Sequence, residues 1–323
     1  MERTVAAFTI TLAAIAPAHA SHPPQAVVVD GSAKDRQFVV AARPNSEGLV
    51  LARQVLPAPE PSVQRSATDS QRAASRIIYL NRDGVVLLPG DNDSRLQRST
   101  IVSEPVAITP WDIDDETWAD TVACMRELYA PFDVEVTDVD PGDAMHIEAV
   151  FGGHPNDVGL PENVAGVSPF TTDCSVIESS IVFTFTDVLP DDSRVMCEVM
   201  AQEIAHSYGL DHQLLASDPM TYLEYDGERS FQNEMAACGE FESRDCGING
   251  SVCRDGQNSV ALLTSRLGRR GAEDEPSGDL TTTTEPEVGG CATSGSGGPS
   301  GPSGVAVGVI ALVVGRRRKT GSC

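Results

Sequence analysis

The chain has 323 residues, 41% of them hydrophobic, with 47 acidic against 23 basic side chains and a formal net charge of −24. That apolar content is enough for a core and excludes wholesale disorder, and with the chain ends set aside it suits one globular domain better than two. The acidic surplus argues against nucleic acid or an anionic membrane as a partner, because phosphates are repelled.

Residues 1–20 join Arg3, an apolar run over 5–16 and Ala18-His19-Ala20. A charged start, a short greasy stretch and a small-x-small site predict a secretory signal, with the mature chain starting near Ser21 in an oxidising compartment. Residues 21–75 hold short β-like runs broken by proline and polar clusters. Their pattern fits a pro-segment, a small strand-rich module or a linker. No cysteine lies there, so no thiolate from this stretch can plug a metal site.

From Arg76 the pattern sharpens. Residues 77–80 predict a strand, closed by Asn81-Arg82-Asp83-Gly84 and followed by a second apolar run over 85–88. Trp118, Val122, Met125 and Tyr129 fall on one face of a helix over 114–129, and Asp112, Asp114 and Asp115 sit where carboxylates suit its orphan N–H groups. Alternation over 132–136, and more loosely over 145–151, predicts two more strands, and the run over 180–185 a third. Asp191-Asp192-Ser193 offers a cap to a second helix, whose apolar face carries Val195, Met196, Val199 and Met200. Strand, helix, three strands and a helix make an α+β order.

The chemistry concentrates in that second helix. Gln202 and His206 are four residues apart and share a face, Gly209 can end the helix in the left-handed conformation, and His212 follows three residues later. Three donors converging this way leave a fourth tetrahedral position for water, as catalytic zinc requires, and Glu203 is placed to serve as general base.

The run Gln202-Glu203-Ile204-Ala205-His206-Ser207-Tyr208-Gly209-Leu210-Asp211-His212 resembles the metzincin zinc-protease signature, H-E-x-x-H-x-x-G-x-x-H, at every fixed position except the first, where Gln202 stands for His. Asp218-Pro219-Met220-Thr221-Tyr222 is similar to the methionine-bearing turn of that family. The resemblance implies a twisted mixed sheet, an active-site helix ending at Gly209, and a smaller irregular C-terminal subdomain stapled by disulfides. It implies zinc held by Gln202, His206 and His212, Met220 forming an apolar floor, Tyr222 aiding an oxyanion, and a protein or peptide substrate.

An amide oxygen is a poorer zinc donor than imidazole, although its neutrality keeps the ion's charge. Three readings therefore stay open: a zinc endopeptidase with a His/His/Gln site, one with a third ligand from elsewhere, and a metal-free relative that binds peptide at the cell surface. A cation-stabilised adhesion module is a further, non-enzymatic class. His146 and His154 are the spare histidines of the domain, and each is better read as structural. Asp138-Val139-Asp140-Pro141-Gly142-Asp143 resembles half a calcium loop, but Ala149 stands where the twelfth-position Glu belongs.

Cys124, Cys174, Cys197, Cys238, Cys246 and Cys253 predict three disulfides, with 15 pairings open. The rest of the chain is tail. Residues 269–303 read as a disordered linker containing Gly289-Gly290-Cys291, and 304–323 as a hydrophobic segment closed by Arg316-Arg317-Arg318-Lys319. This ending is similar to a myxobacterial-type C-terminal sorting tail. The likeness implies action of a C-terminal processing protease near Cys291, membrane contact through the tail only, and display at the cell surface or outer membrane, or release outside the cell. The metallopeptidase-like domain is expected over residues 76–268.

Overall fold

A computed structural model describes residues 26–29, 36–41, 44–59 and 75–271. The signal segment, the linker after 271 and the sorting tail with Cys291 lie outside the described residues.

In chain order the strands are β1 (Ala26–Val29), β2 (Gln37–Val40), β3 (Val50–Leu56), β4 (Ile77–Asn81), β5 (Val85–Pro89), β6 (Arg98–Ser99) and β7 (Val106–Ile108). Helix α1 (Asp115–Tyr129) follows, then β8 (Glu135–Thr137), β9 (Ile147–Phe151), β10 (Val164–Thr171) and β11 (Ile181–Thr184), then α2 (Ser193–Ser207) and α3 (Ser259–Leu267). Eight strands form one mixed sheet in the order β1-β2-β3-β10-β11-β9-β4-β8, and β6-β5-β7 form a second, small sheet.

Strands β8, β4, β9 and β11 run parallel to one another, whereas β10 is antiparallel to β11. Parallel strands must be covered on both faces, and every residue of β9 and β11 is buried, all of them apolar except Glu148 and Thr184. Their side chains alternate between two cores. Ile147, Phe151 and Val182 join Trp118, Val122, Met125, Met196, Met200 and Ile204 beneath α1 and α2, while Val150, Ile181 and Phe183 pack with Phe38, Leu87 and Ile108 on the opposite face.

The four α1 residues predicted to share a face are all buried. Asp114 is its cap, accepting the Thr117 N–H at 2.9 Å. A Cys124–Cys197 disulfide ties α1 to α2. The other two bridges, Cys174–Cys253 and Cys238–Cys246, brace residues 208–258, where isolated bridges replace ladders among the described residues. Three disulfides suit an oxidising compartment. Among the described residues no helix is long and apolar enough to cross a membrane.

Several features differ from the sequence expectation, which leaves out β10, the longest strand of the sheet. The strand expected over 132–136 narrows to β8, because Phe132 and Val134 turn into the core before the ladder with β4 begins. Helix α3 was not anticipated, although Asn258 caps it and Gly268 ends it. The described strands upstream of residue 75 belong to the main sheet: β1 and β2 form a hairpin, β2 pairs with β3, and β3 runs parallel along β10.

Candidate functional site

Helix α2 presents the site because both of its ends are fixed. Asp192 caps it, accepting from the Arg194 and Val195 N–H groups. At the other end Gly209 has φ +83°, and a Cβ there would stand 2.1 Å from the Cys174 carbonyl oxygen, so only glycine fits. The Leu210 N–H returns to the Ala205 carbonyl at 3.1 Å, and the reversed chain delivers His212 to His206.

The two rings meet through Nε2, 3.0 Å apart, with their planes at 71°. Each ring's other nitrogen is committed. His206 Nδ1 lies 2.7 Å from the Leu210 carbonyl oxygen and His212 Nδ1 2.9 Å from Glu240 Oε1. Both partners only accept, so both Nδ1 atoms carry the proton and both Nε2 atoms face each other with lone pairs. Burial, with the neighbouring His212, holds the His206 ring well below the usual histidine range; burial, with the Arg53 charge, holds His212 down at about 4. Burial disfavours the charged form of both rings, so the facing lone pairs repel unless a cation stands between them. Two imidazoles on a tetrahedral zinc, each at ~2.0–2.1 Å, place their nitrogens roughly 3.3 Å apart, close to the separation here.

Glu203 is fully buried beside this pair and neither carboxylate oxygen has a hydrogen-bond partner. Burial pushes its carboxyl well above the ordinary range, against the opposing pull of Ser168 and Arg53. It presses on β10, where a Cβ at Gly166 would stand 2.7 Å from Glu203 Oε1. Gln202 lies one turn before His206, buried, with its amide nitrogen unpartnered. No hydrogen bond joins it to the histidines, and it lines a cavity of about 300 Å³ with Leu51, Val199 and Tyr222.

The methionine turn is held by its backbone. Asp218 accepts the Met220 N–H at 2.9 Å, the Met220 carbonyl accepts the Gln213 N–H at 2.7 Å, and the Met220 side chain is buried in the core shared by Tyr208 and Leu210. Tyr222 sets its ring edge-on to His212 at 4.9 Å, but its hydroxyl is engaged. It accepts the Leu51 N–H at 2.6 Å and donates to the Leu51 carbonyl at 3.1 Å.

Behind His212 lies a buried ionic network that the sequence motif does not reveal. Asp211 accepts from Arg53, from Arg244 at 2.5 and 3.0 Å, and from the His212 and Gly247 N–H groups at 2.7 Å. Glu240 accepts from Arg244 at 2.8 Å and Arg53 at 3.2 Å, besides orienting His212. Burial alone would raise both carboxyls. The two guanidiniums at Asp211, and His212 with the guanidiniums at Glu240, outweigh it and hold both well below the carboxylate range.

Two groupings of potential metal ligands share Asp211. The set with Cys238 and Cys246 offers no thiolate, because those sulfurs are bonded to each other. The set with His212 and Glu240 is already filled by two arginines. The face-to-face histidines stand beside both sets.

The spare histidines do not join it. His146 bonds the Ala144 carbonyl and stands edge-on to Tyr79, and His154 caps the short helix Pro155–Val158. The Asp138–Asp143 acids form an exposed turn, in which Asp140 accepts the Gly142 N–H. Set against known protein families and functionally characterised proteins, the chain matches none.

Proposed function

We propose that the chain is a zinc-dependent endopeptidase of metzincin type, and the observation that carries this reading is the pair of buried imidazoles aiming lone pairs at one point. His206 and His212 would hold the ion, with Gln202 as the adjoining neutral donor. A bound zinc would supply Lewis acidity to water and to a peptide carbonyl.

The remaining work falls to the chain's own side chains. Glu240 and the Leu210 carbonyl fix the tautomer and direction of the rings. Glu203, carrying no other hydrogen bond, takes a proton from water on a carboxylate oxygen and delivers it to the leaving amine. A bound ion would favour the carboxylate form that burial disfavours. Tyr222, once released from Leu51, has a hydroxyl to donate to an oxyanion. Surface display through the C-terminal tail belongs to the same proposal.

Elemental analysis of the purified full chain tests it. About one zinc per chain is expected, lost in His206→Ala and in His212→Ala, with Gln202→His retaining zinc roughly 10–100-fold more tightly. Glu203→Gln is expected to keep the zinc and abolish peptide cleavage. A native chain without zinc beside a stoichiometric Gln202→His variant would instead support the metal-free peptide-binding reading, which Gln202 alone favours.

A further inference from the structure

The catalytic groups are covered, and what covers them is the chain's own N-terminal ribbon. Strand β3 pairs with β10 from Val50 opposite Val164 to Leu56 opposite Thr171. Without it, β10 would be the edge of the sheet built by residues 75–271. The Leu51 peptide sits on the Tyr222 hydroxyl through both its N–H and its carbonyl. Two residues on, Arg53 enters the ionic network, its guanidinium 5.1 Å from the Phe170 ring centre and on Asp211 and Glu240. Glu203 and His206 are completely buried and His212 is 2% exposed.

The contacts of Arg53 mark β3 as an occupant rather than a wall. Asp211 and Glu240 each pair directly with Arg244 and with Arg53, and Arg254 lies within electrostatic reach of Asp211. A buried arginine needs such a partner, and its planar fork suits carboxylates in a way a lysine ammonium does not. A cleft opens beside β3: Leu49 and Leu51 border a cavity of about 300 Å³ whose far side is Val199 and Gln202 of α2 with Leu223 and Tyr225. Strand pairing supplies sequence-independent affinity, and a side-chain slot supplies selectivity.

We propose that Val50–Leu56 is an internal pseudosubstrate: the edge of β10 and the acidic slot of Asp211 and Glu240 form a binding rail for an extended peptide bearing an arginine, held by the chain's own ribbon until that is displaced. This rests on the peptide-site reading above and does not require hydrolysis. A ligand peptide lays its backbone along β10, puts one peptide unit on the Tyr222 hydroxyl, and extends its arginine onto Asp211 and Glu240 over Phe170.

The test uses the full chain carrying a site-specific protease sequence inserted within residues 60–74, cut after purification. The probe is a fluorescein-labelled synthetic peptide of residues 44–59, in its native form and as Arg53→Ala and Arg53→Lys, followed by anisotropy. The native peptide is expected to enter the cut chain and be competed out by its unlabelled copy. The alanine form should bind about 30-fold more weakly or worse, and the lysine form in between.

Equal binding of native and alanine peptides overturns the proposal. So does failure to exchange, or loss of near-ultraviolet circular dichroism when the cut segment leaves, since β3 would then be a constitutive strand. The uncut Arg53→Ala chain gives a second reading: amide exchange over residues 51–55 should quicken at least tenfold while α1 is unchanged, and equal exchange counts against the proposal. Mass spectrometry of peptide bound to the zinc-loaded cut chain separates the two ideas. Arginine-selective binding without cleavage sinks the peptidase and spares the rail. Cleavage without arginine preference sinks the rail and spares the peptidase.

Discussion

Glu148 gives the most direct quantitative check on the architecture that carries the site. It lies in β9, fully buried, with its carboxylate accepting from Asn81 at 2.8 Å and from Gln97 at 3.4 Å. Burial pushes its carboxyl from 4.5 up to about 7, Asp140 adding to the rise and the Asn81 bond resisting it. Between those values the folded chain keeps a proton that the unfolded chain has released, so stability falls as pH rises through the window. A shift of about 2.5 units at ~1.36 kcal/mol each amounts to roughly 3 kcal/mol by pH 8.

Glu148→Gln removes the charge and keeps the shape. The Gln97 carbonyl oxygen, now buried without a partner, can turn to accept from the new amide nitrogen. The variant should therefore match the native chain near pH 4.5 and exceed its stability by about 1–3 kcal/mol near pH 8, a melting increase of roughly 3–10 °C for a body of this size. Urea unfolding of both proteins across the window measures the difference, which also cancels other groups titrating there, such as Asp218, raised by burial to about 6. A pH-independent difference, or a variant less stable at pH 8, would refute the argument.

Asp211→Asn leaves Arg53 and Arg244 short of a carboxylate in a buried network and should cost about 3–5 kcal/mol in urea unfolding; less than about 1 kcal/mol would show the network to be solvated and weak. Gly166→Ala drives a methyl group into Glu203 and the Phe183 carbonyl, 2.7 and 2.8 Å away. It should lower stability by about 1–3 kcal/mol, and peptide cleavage should fall by more than that loss of folded protein accounts for. Unchanged cleavage would mean that Glu203 does not act from this position.

Much of the candidate site was legible locally. The spacing of Trp118, Val122, Met125 and Tyr129, the caps at Asp114 and Asp192, and the turn at Gly209 are each set by residues within a few positions of one another, and each is seen. His206 and His212 converge for the same reason: six residues and one left-handed glycine suffice. What the sequence concealed depends on distant pairing. Glu240, which orients His212, lies 28 residues beyond it with no fixed spacing to betray it. Arg53 reads as one polar residue in Val50-Leu51-Ala52-Arg53-Gln54-Val55-Leu56, a run buried over its first five positions, and nothing in that run names β10 as its neighbour. The strand that carries Gly166 escaped the sequence reading, and the side chain that claims the missing Cβ of that glycine comes 37 residues later.

The cystines impose one more consequence. The first cysteine of the chain is Cys124, so no covalent crosslink reaches β1, β2 or β3. A pull applied at the N-terminus in a force experiment should unzip the ribbon first, and only then meet a body whose extension is curtailed by three sulfur–sulfur ties. Reductant in the buffer should lengthen the later rupture and leave the first untouched.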